Sequence, residues 1–406
     1  YHCAFCQQNV WSFGVEHYAQ HNQNNLTDGP IGTQHIQEIA DANDMMVAGS
    51  DQRGYTSLGD YGDFPGAAER DLRDVEATIR NRDRYAIDPN RVIFSGMSMG
   101  GGTTQTMSPL YADELASAVV HNAPGAPDIP ENMRNVPYYQ VNGDTGLDSA
   151  AISSGRQAAQ DLDARGYRQM YVEYLGRAHD FGLVYDSVPI LDKTGYREVR
   201  DPNPARVTYT LNAASEDPAL GLVHDHAYWA SQLKLPSGAT TATVDATALR
   251  MSGKLPKFTS QLTGHFTRGS TSDAAFVDWQ VWNRDLTGHG LQDFDPRWSP
   301  GPDVKVTNTK LDPPAHAGAN GFSLTTSYAS QLLDLNRMRV DTRRSVTGWL
   351  NAGVPTSVRL RATSLSGRRT VTIDGRPVTA ARSADRRTLR VSVPQGTHVL
   401  VVGAPR

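Results

Sequence analysis

The chain has 406 residues, of which 38% are hydrophobic and 20% charged, a composition typical of folded proteins and a length that predicts two or three domains. The formal net charge of -4 at pH 7 favours neither a nucleic-acid partner nor a polybasic membrane surface. No apolar stretch reaches the roughly 18 residues of a transmembrane helix, so no membrane span is predicted. The two cysteines, Cys3 and Cys6, are too few for a disulfide framework or a four-ligand zinc site.

The first half of the chain alternates helix and strand patterns. Apolar residues at helical spacing follow Thr33 and recur at residues 72–79. Short apolar runs predict buried strands, and further helices are predicted between them. The predicted strands are residues 45–48, 91–94, 118–120, 138–141 and 171–175, and the further helices run through Met107 and over 155–165. Strands separated by helices predict a mainly parallel sheet and an α/β domain over residues 1–200.

The second half has strand patterns instead of alternating elements. Residues 207–211 and 389–393 alternate apolar with polar side chains, as half-exposed strands do. Asp374-Gly375 between two short apolar runs predicts a tight hairpin. We predict a β-rich, long-looped region over residues 201–335 and a small β-sandwich-like module over 336–406.

The strongest catalytic motif is Gly-x-Ser-x-Gly at residues 96–100, with Ser98 at its centre. It lies between a predicted buried strand and a predicted helix, which is the context of a nucleophile elbow. Such a turn strains the serine backbone and requires small flanking residues. It exposes the serine oxygen and directs the amide of Met99 toward a developing oxyanion. We therefore predict Ser98 as a nucleophile; the alternative is a glycine-rich turn in an inactive fold.

A nucleophilic serine needs a base and an orienting acid, which after such an elbow follow in the order acid, then histidine. Asp144 and Asp148 both follow the predicted strand 138–141, at the edge where catalytic groups collect in α/β sheets. His179 follows the next predicted strand and is the predicted base. The residues themselves leave Asp144 and Asp148 open as the acid.

Several other histidines and carboxylates could in principle be catalytic or bind a metal, but we predict ordinary structural roles for them. His121, His224 and His226 compete with His179, but a histidine outside this position in the topology is more often a packing or surface residue. Three carboxylates, Asp293, Asp295 and Asp303, match no EF-hand spacing, so we interpret them as loop residues rather than as a calcium site.

An aromatic run at residues 276–282, followed by Trp298, has two interpretations. It predicts core packing of a β domain, or an exposed strip that docks a polymer or an acyl chain.

Residues 88–101, from Asp-Pro-Asn-Arg-Val into the elbow, resemble α/β-hydrolases of the prolyl-oligopeptidase-like and polyhydroxybutyrate-depolymerase/feruloyl-esterase-like groups. The chain is also similar to a family of large secreted actinobacterial serine hydrolases. That similarity is carried by the helix at 156–167, by His179 with Asp186, and by the Asp-His-Ala-Tyr-Trp run at 225–229. The resemblance covers roughly residues 55–235. It implies an α/β-hydrolase fold followed by β-rich domains, triad chemistry without a cofactor, and a secreted bacterial protein.

The resemblance also implies which carboxylate is the acid. In the family, the acid lies three residues after a glycine at the end of the strand, in a Gly-x-x-Asp pattern. Counted from Gly143, that position is occupied here by Gly146, so the sequence departs from the pattern. A two-residue insertion restores Asp148, which keeps the usual distance to Gly155. Asp148 is therefore favoured over Asp144.

The start of the chain corresponds to another part of this fold. A strand beside the nucleophile strand ends in a His-Gly-type loop, whose amide completes the oxyanion hole. Residues 1–4 occupy that place, so the amide of Cys3 or Ala4 is the expected second donor, with Cys3 in place of glycine. Because Tyr1 is not methionine and would end a central strand, we expect a processed or truncated start with further strands upstream. The spacing of Cys3 and Cys6 favours a short structural disulfide over redox chemistry.

The elbow, the candidate acids and His179 together predict a serine hydrolase that works through an acyl-enzyme intermediate. The resemblance implies that its substrates are carboxylic esters, small or polymeric, including polyesters or aromatic esters. A peptidase or amidase on the same fold shares every predicted catalytic residue. A non-catalytic binding protein with a vestigial triad is the third interpretation.

Overall fold

The computed structural model describes residues 40, 44–48, 66–81, 84–146, 151–174, 179, 195–268, 276–283, 298–363, 365 and 367–405. The chain divides into two compact units. Unit 1 comprises Tyr1–Arg200, Ala219–Leu222 and Phe258–Thr309, and unit 2 comprises Asp201–Pro218, Val223–Lys257 and Lys310–Arg406.

The regular elements are numbered in chain order. The helices are α1 (Ala67–Ile79), α2 (Met99–Leu110) and α3 (Ile152–Ala164). The strands up to β10 are β1 (Ile93–Met97), β2 (Ser117–His121), β3 (Tyr138–Gly143), β4 (Gln169–Tyr174), β5 (Arg206–Asn212), β6 (Ala230–Lys234), β7 (Thr241–Ala248), β8 (Phe258–Arg268), β9 (Phe276–Asn283) and β10 (Trp298–Pro300). The remaining strands are β11 (Lys305–Lys310), β12 (Gly321–Thr326), β13 (Ser330–Asp334), β14 (Val346–Ala352), β15 (Thr356–Arg361), β16 (Val371–Ile373), β17 (Arg376–Pro377), β18 (Ala381–Arg382), β19 (Thr388–Val393) and β20 (Gly396–Val402). Short 3₁₀ helices lie at Pro130–Asn135, Gly195–Arg197, Ala213–Ser215, Pro218–Leu220 and Leu249–Lys254.

Unit 1 contains a sheet that begins with four parallel strands in the order β1-β2-β3-β4. Every residue of β2, β3 and β4 is buried, as expected for parallel strands that helices cover on both faces. Leu115, Val120, Met133 and Leu162 form part of the core between these strands and their helices. Between Ala67 and Tyr174 the predicted helices and strands are confirmed.

Later strands extend the same sheet beyond β4. β9 pairs antiparallel with β4, and β8 pairs antiparallel with β9. β10 and β11 both pair with β8. The aromatic run at residues 276–282 therefore forms a strand of the sheet of unit 1, not a strand of a separate β domain.

One predicted strand is wrong. Residues 45–48 have no regular structure, and Met46 and Val47 are 44% and 53% exposed. An apolar run becomes a strand only when its backbone groups pair with a neighbouring strand, and no strand within the described ranges pairs with this one. The helix predicted after Thr33 lies outside the described residues.

Unit 2 consists of two sheets around one apolar core. The strand orders are β17-β16-β20-β14-β12-β7-β5 and β18-β19-β15-β13-β6. Inward residues of both sheets, such as Tyr209, Phe322, Leu360 and Val391, belong to the same buried cluster, which is the packing of a β-sandwich. The predicted alternation on β19 is confirmed by its burial pattern. On β5 the apolar residues are buried as predicted, but Thr208 between two of them is buried as well.

The structure divides the β-rich half differently from the sequence prediction. Residues 201–335 and 336–406 are not separate, because β12 pairs with β14 and β13 pairs with β15 across that boundary. Residues 258–309 belong instead to unit 1. Strand pairing over long separations decides these boundaries, and local sequence patterns do not report it.

The hairpin predicted at Asp374-Gly375 is formed by β16 and β17. Both turn residues have positive φ, 51° and 77°, as a two-residue hairpin turn requires. No helix in the described ranges has the length and apolar character needed to cross a bilayer.

Candidate active site

The turn between β1 and α2 holds Ser98 in a strained conformation. β1 ends at Met97 and α2 begins at Met99, so Ser98 forms the turn by itself. Its φ of 57° and ψ of -121° are rarely adopted by a residue other than glycine. The Ser98 amide donates to the carbonyl of His121 at 2.9 Å, and the Gly102 amide donates to the carbonyl of Ser98 at 3.0 Å. These bonds tie the strained residue to β2 and to the first turn of α2.

The glycines around the serine let β1 and α2 approach each other. A Cβ on Gly96 would lie 2.1 Å from the carbonyl oxygen of Gly100. A Cβ on Gly101 would lie 2.5 Å from the Cβ of Ala123 and 3.1 Å from a methyl carbon of Val120. Side chains at these positions would force the helix away from the strands, so the turn requires the small residues of the motif.

His179 meets this serine. The Nε2 atom of His179 lies 2.8 Å from the Oγ of Ser98, although the residues are 81 positions apart. Ser98 follows β1, and His179 comes after β4, so the carboxyl edge of the parallel sheet brings both side chains together. If the serine hydroxyl donates, Nε2 is the unprotonated nitrogen and can accept the serine proton.

One of the two candidate acids, Asp144, lies within the described part of the chain. Asp144 is half-buried and directly follows β3, at the same edge of the sheet as Ser98 and His179. Asp148 lies outside the described residues. The choice between them stays a prediction.

Of the candidate oxyanion donors, Met99 lies within the described residues. Met99 is the first residue of α2, and the first amides of a helix have no acceptor within it. Its N–H therefore suits an oxyanion beside Ser98. Cys3 and Ala4 lie outside the described residues, as does the Cys3–Cys6 pair.

Two buried asparagines, which the sequence prediction missed, connect the ends of β2 and β3. The side-chain oxygen of Asn122 accepts the amide of Gly143 at 3.2 Å. The side-chain oxygen of Asn142 accepts the amide of Ala123 at 3.3 Å. Asn122 has a φ of 47° and is fully buried. The crossed bonds fix the loop that starts at Asp144. An asparagine at the carboxyl end of each of two neighbouring strands is the sequence signal that could have revealed them.

A chain of buried polar side chains holds α2 against the sheet. Gln105 donates to the hydroxyl of Tyr138 at 3.0 Å, and that hydroxyl donates to Gln140 at 3.1 Å. Gln140 in turn donates to the carbonyl of Ala123 at 2.9 Å. Burial raises the pKa of Tyr138, so its hydroxyl keeps the proton that this chain needs. The loop after β2 is thereby fixed from a second side.

His121, the histidine nearest to the elbow in sequence, has the features of a packing residue. It is fully buried, and burial lowers its pKa to about 3. Its Nε2 atom lies 3.5 Å from the hydroxyl of Tyr196. A neutral, enclosed imidazole of this kind is a weak base, while its backbone carbonyl accepts the Ser98 amide.

The two competing histidines of unit 2 are near local carboxylates. The Nδ1 atom of His224 lies 3.1 Å from Glu216, and the hydroxyl of Tyr209 donates to the His224 carbonyl at 2.9 Å. His226 is half-buried and its Nδ1 atom lies 3.6 Å from Asp225. Both arrangements can be explained by local packing and turn structure.

The carboxylates considered for a calcium site lie only partly within the described residues. Asp293 and Asp295 lie outside the described ranges. Among the residues within them, no group of three or more histidine, cysteine, aspartate or glutamate side chains could hold a metal ion.

Comparison of the chain with protein-family models and with curated protein sequences gives no match. Among solved structures, the chain is similar to a crystal structure of a thermostable esterase, with 22% sequence identity and a TM-score of 0.28. The similar region covers 33% of this chain and 38% of the esterase chain.

Proposed function

We propose that this protein is a serine hydrolase of the α/β-hydrolase type that cleaves carboxylic esters. The observation that carries the proposal is the 2.8 Å contact between Ser98 Oγ and His179 Nε2. The strained backbone of Ser98, at the start of α2, supports it, because a non-glycine residue in this conformation is retained chiefly where it serves a function.

In the proposed reaction, Ser98 attacks the carbonyl carbon of the ester while its proton passes to Nε2 of His179. The resulting oxyanion accepts a hydrogen bond from the Met99 amide at the start of α2. His179 then donates the proton to the departing alkoxide oxygen, which leaves as the alcohol and gives an acyl-serine. Water, deprotonated by His179, releases the acid and restores the serine.

A carboxylate orients His179 and stabilises its charged form in this proposal. Asp148 is the first choice for this role and Asp144 the alternative. Cys3 or Ala4 supplies the second oxyanion donor. Besides the substrate and water, these steps use only side chains and backbone amides of the protein.

The resemblance of residues 88–101 to depolymerases and feruloyl esterases favours esters, small or polymeric, as substrates. The similarity to secreted actinobacterial serine hydrolases, carried by residues 156–167, by His179 with Asp186 and by residues 225–229, underlies the proposal of a secreted bacterial enzyme. No described feature favours a peptidase over an esterase. A direct comparison of kcat/KM on p-nitrophenyl acyl esters and on peptide p-nitroanilides separates these activities, and higher values on the anilides would reassign the enzyme.

The nucleophile is tested by labelling with a fluorophosphonate, which reacts covalently with activated serines. The wild-type protein is expected to label and Ser98→Ala to remain unlabelled. Ser392→Ala, which removes an exposed hydroxyl of unit 2, is the matched control and should label normally. A folded wild-type protein that does not react would contradict the proposed chemistry.

A further inference from the structure

The two units carry opposite charges, which the net charge of the whole chain conceals. Unit 2 contains 20 lysine and arginine residues against 10 aspartates and glutamates, a formal charge of +10. Unit 1 contains 19 against 33, a formal charge of -14. The absence of a basic excess in the whole chain therefore says nothing about unit 2.

Part of this positive charge lies on one face of the five-stranded sheet of unit 2, which we name the arginine face. It consists of Arg359 and Arg361 on β15, Arg390 on β19 and Lys234 on β6. Alternate residues of β15 and β19 are buried in the core, so the arginines between them point away from it. Arg361, Arg390 and Lys234 are exposed, and Arg359 is half-buried.

The strand register places like charges opposite each other on this face. Arg359 on β15 pairs with Arg390 on β19, and like charges directly opposite in a sheet are destabilising. Burial, and then the nearby charges of Arg390 and Arg361, lower the pKa of Arg359, while Asp225 acts in the opposite direction. Arg359 donates to Gln232, and Arg390 donates to the hydroxyl of Ser357 at 2.9 Å. The face thus concentrates positive charge on rigid strands.

Carboxylates near the face do not neutralise it. In the described part of the chain, none forms an ion pair with Arg359, Arg361, Arg390 or Lys234. Asp334 is in register with Arg361, but its carboxylate accepts the backbone amides of residues 336 and 337. Asp385 lies near Arg361 and is bound by Ser383 and by the Arg387 amide. Both terminal nitrogens of Arg359 donate to Gln232, and Arg390 donates through its Nε, so Arg361 and the terminal nitrogens of Arg390 are the groups that the face offers to an external anion.

The uncharged side chains of the face indicate what kind of anion fits. Ser357, Thr388, Ser392 and Gln232 lie among the arginines, and their hydroxyl and amide groups suit a partner rich in hydroxyls. The strands of this sheet, as described, contain no aromatic residue. The face therefore lacks stacking platforms for nucleic-acid bases and bulky aromatic anchors for a membrane interface. Guanidinium groups bind carboxylates through paired hydrogen bonds.

We propose that the arginine face of unit 2 binds an acidic polysaccharide through the carboxylates of its sugars. Binding holds the protein on the polymer at a surface distinct from the Ser98 site. The proposal does not rest on the ester chemistry, because polymer binding and ester turnover are measured separately and either can fail without the other.

The test measures binding of the full chain to polygalacturonate, with dextran as the neutral polymer, at low and moderate salt concentrations. The double variant R361Q/R390Q removes two exposed charges of the face. R343Q/R344Q removes two exposed charges elsewhere in unit 2, beside Asp341, and is the matched control. We expect R361Q/R390Q to bind polygalacturonate about 10-fold more weakly or worse, with a shallower dependence on salt. The control should bind as the wild type does.

Three results would overturn the proposal. They are no binding of polygalacturonate by the wild type, equal losses in the two double variants, and tighter binding to duplex DNA or to anionic phospholipid vesicles at matched charge concentration. Circular dichroism checks the fold of each variant. If R361Q/R390Q does not fold, the single variant R390Q replaces it, with an expected loss that is smaller but still larger than that of R343Q.

Discussion

Unit 1 and unit 2 present side chains in different ways, and their sheets explain why. In unit 1 the parallel strands β2, β3 and β4 are buried throughout, so side chains reach solvent chiefly at the strand ends, where Ser98 and His179 are in contact. In unit 2 each strand has one face in the core and one outside, which spreads polar side chains over a surface. A parallel sheet thus concentrates chemistry at an edge, and a sandwich offers a face for docking.

The interiors of the two units also differ in how many polar side chains they bury. Unit 1 buries polar groups close to its candidate site, including Gln105, Gln140 and the asparagine pair. It also buries Glu173, which Arg156 binds through two hydrogen bonds of 2.7 Å. Unit 2 has one large apolar cluster and, among the described residues, buries fewer polar side chains, although Gln331 is buried and bonded to Thr326 and Thr356. Buried polar groups that are satisfied make one arrangement unique, which a catalytic edge requires more than a docking face does.

The largest expected effect lies at the edge of the sheet in unit 1. Asp148→Asn should lower kcat by about 10⁴-fold, because the imidazole loses the partner that sets its tautomer. Asp144→Asn, the matched change four residues earlier, should have a much smaller effect. Ester kinetics of both variants measure this difference. The reverse ranking would assign Asp144 as the acid.

A change in the core of unit 2 should affect stability and leave the chemistry intact. Leu360→Ala removes a fully buried side chain and should lower the free energy of unfolding by about 3 kcal/mol. Val399→Ala, at a valine that is 37% exposed, should have little effect. Urea denaturation measures both. Loss of ester turnover by folded Leu360→Ala would show that the edge in unit 1 depends on the core of unit 2.

The smallest expected effect is a pH dependence in unit 1. Burial raises the pKa of Asp163 from 3.8 to about 6, against the lowering effect of hydrogen bonds from Gln169 and Gln261. The folded chain therefore holds this proton more tightly, and the stabilisation is complete below about pH 4 and lost as the pH rises through 6. Asp163→Asn should gain about 2 kcal/mol relative to the wild type between pH 4 and pH 7. Thermal unfolding at both pH values measures the change; an equal difference at both would contradict the assignment.

Much of unit 1 could be predicted because its signals are local. The elbow needs glycines at positions 96 and 101, and the structure explains both by contacts closer than a Cβ allows. The predicted strands at 91–94 and 138–141 correspond to β1 and β3. The place of His179 after a predicted strand was sufficient to single it out as the histidine near Ser98, because parallel strands place the loops that follow them at one edge of the sheet.

Residues 45–48 show the limit of the same reasoning. Their apolar run predicted a buried strand, yet Met46 and Val47 are exposed, because a strand needs a partner as well as a composition. The asparagine pair, Asn122 and Asn142, was missed for a related reason. Its role depends on two strand ends being neighbours, which neither residue reveals by itself.

The sequence by itself determined the elements that depend on near neighbours: the elbow at Ser98, the helices around it, the alternating strands and the Asp374-Gly375 turn. Backbone sterics and side-chain periodicity operate over a few residues, so they can be interpreted directly. Only the tertiary structure decided that β9 joins β4, that unit 2 is built from separate segments, and that Arg359 faces Arg390. Those features depend on pairing between distant strands, where many registers are compatible with the same local pattern and the packing of the whole fold selects one.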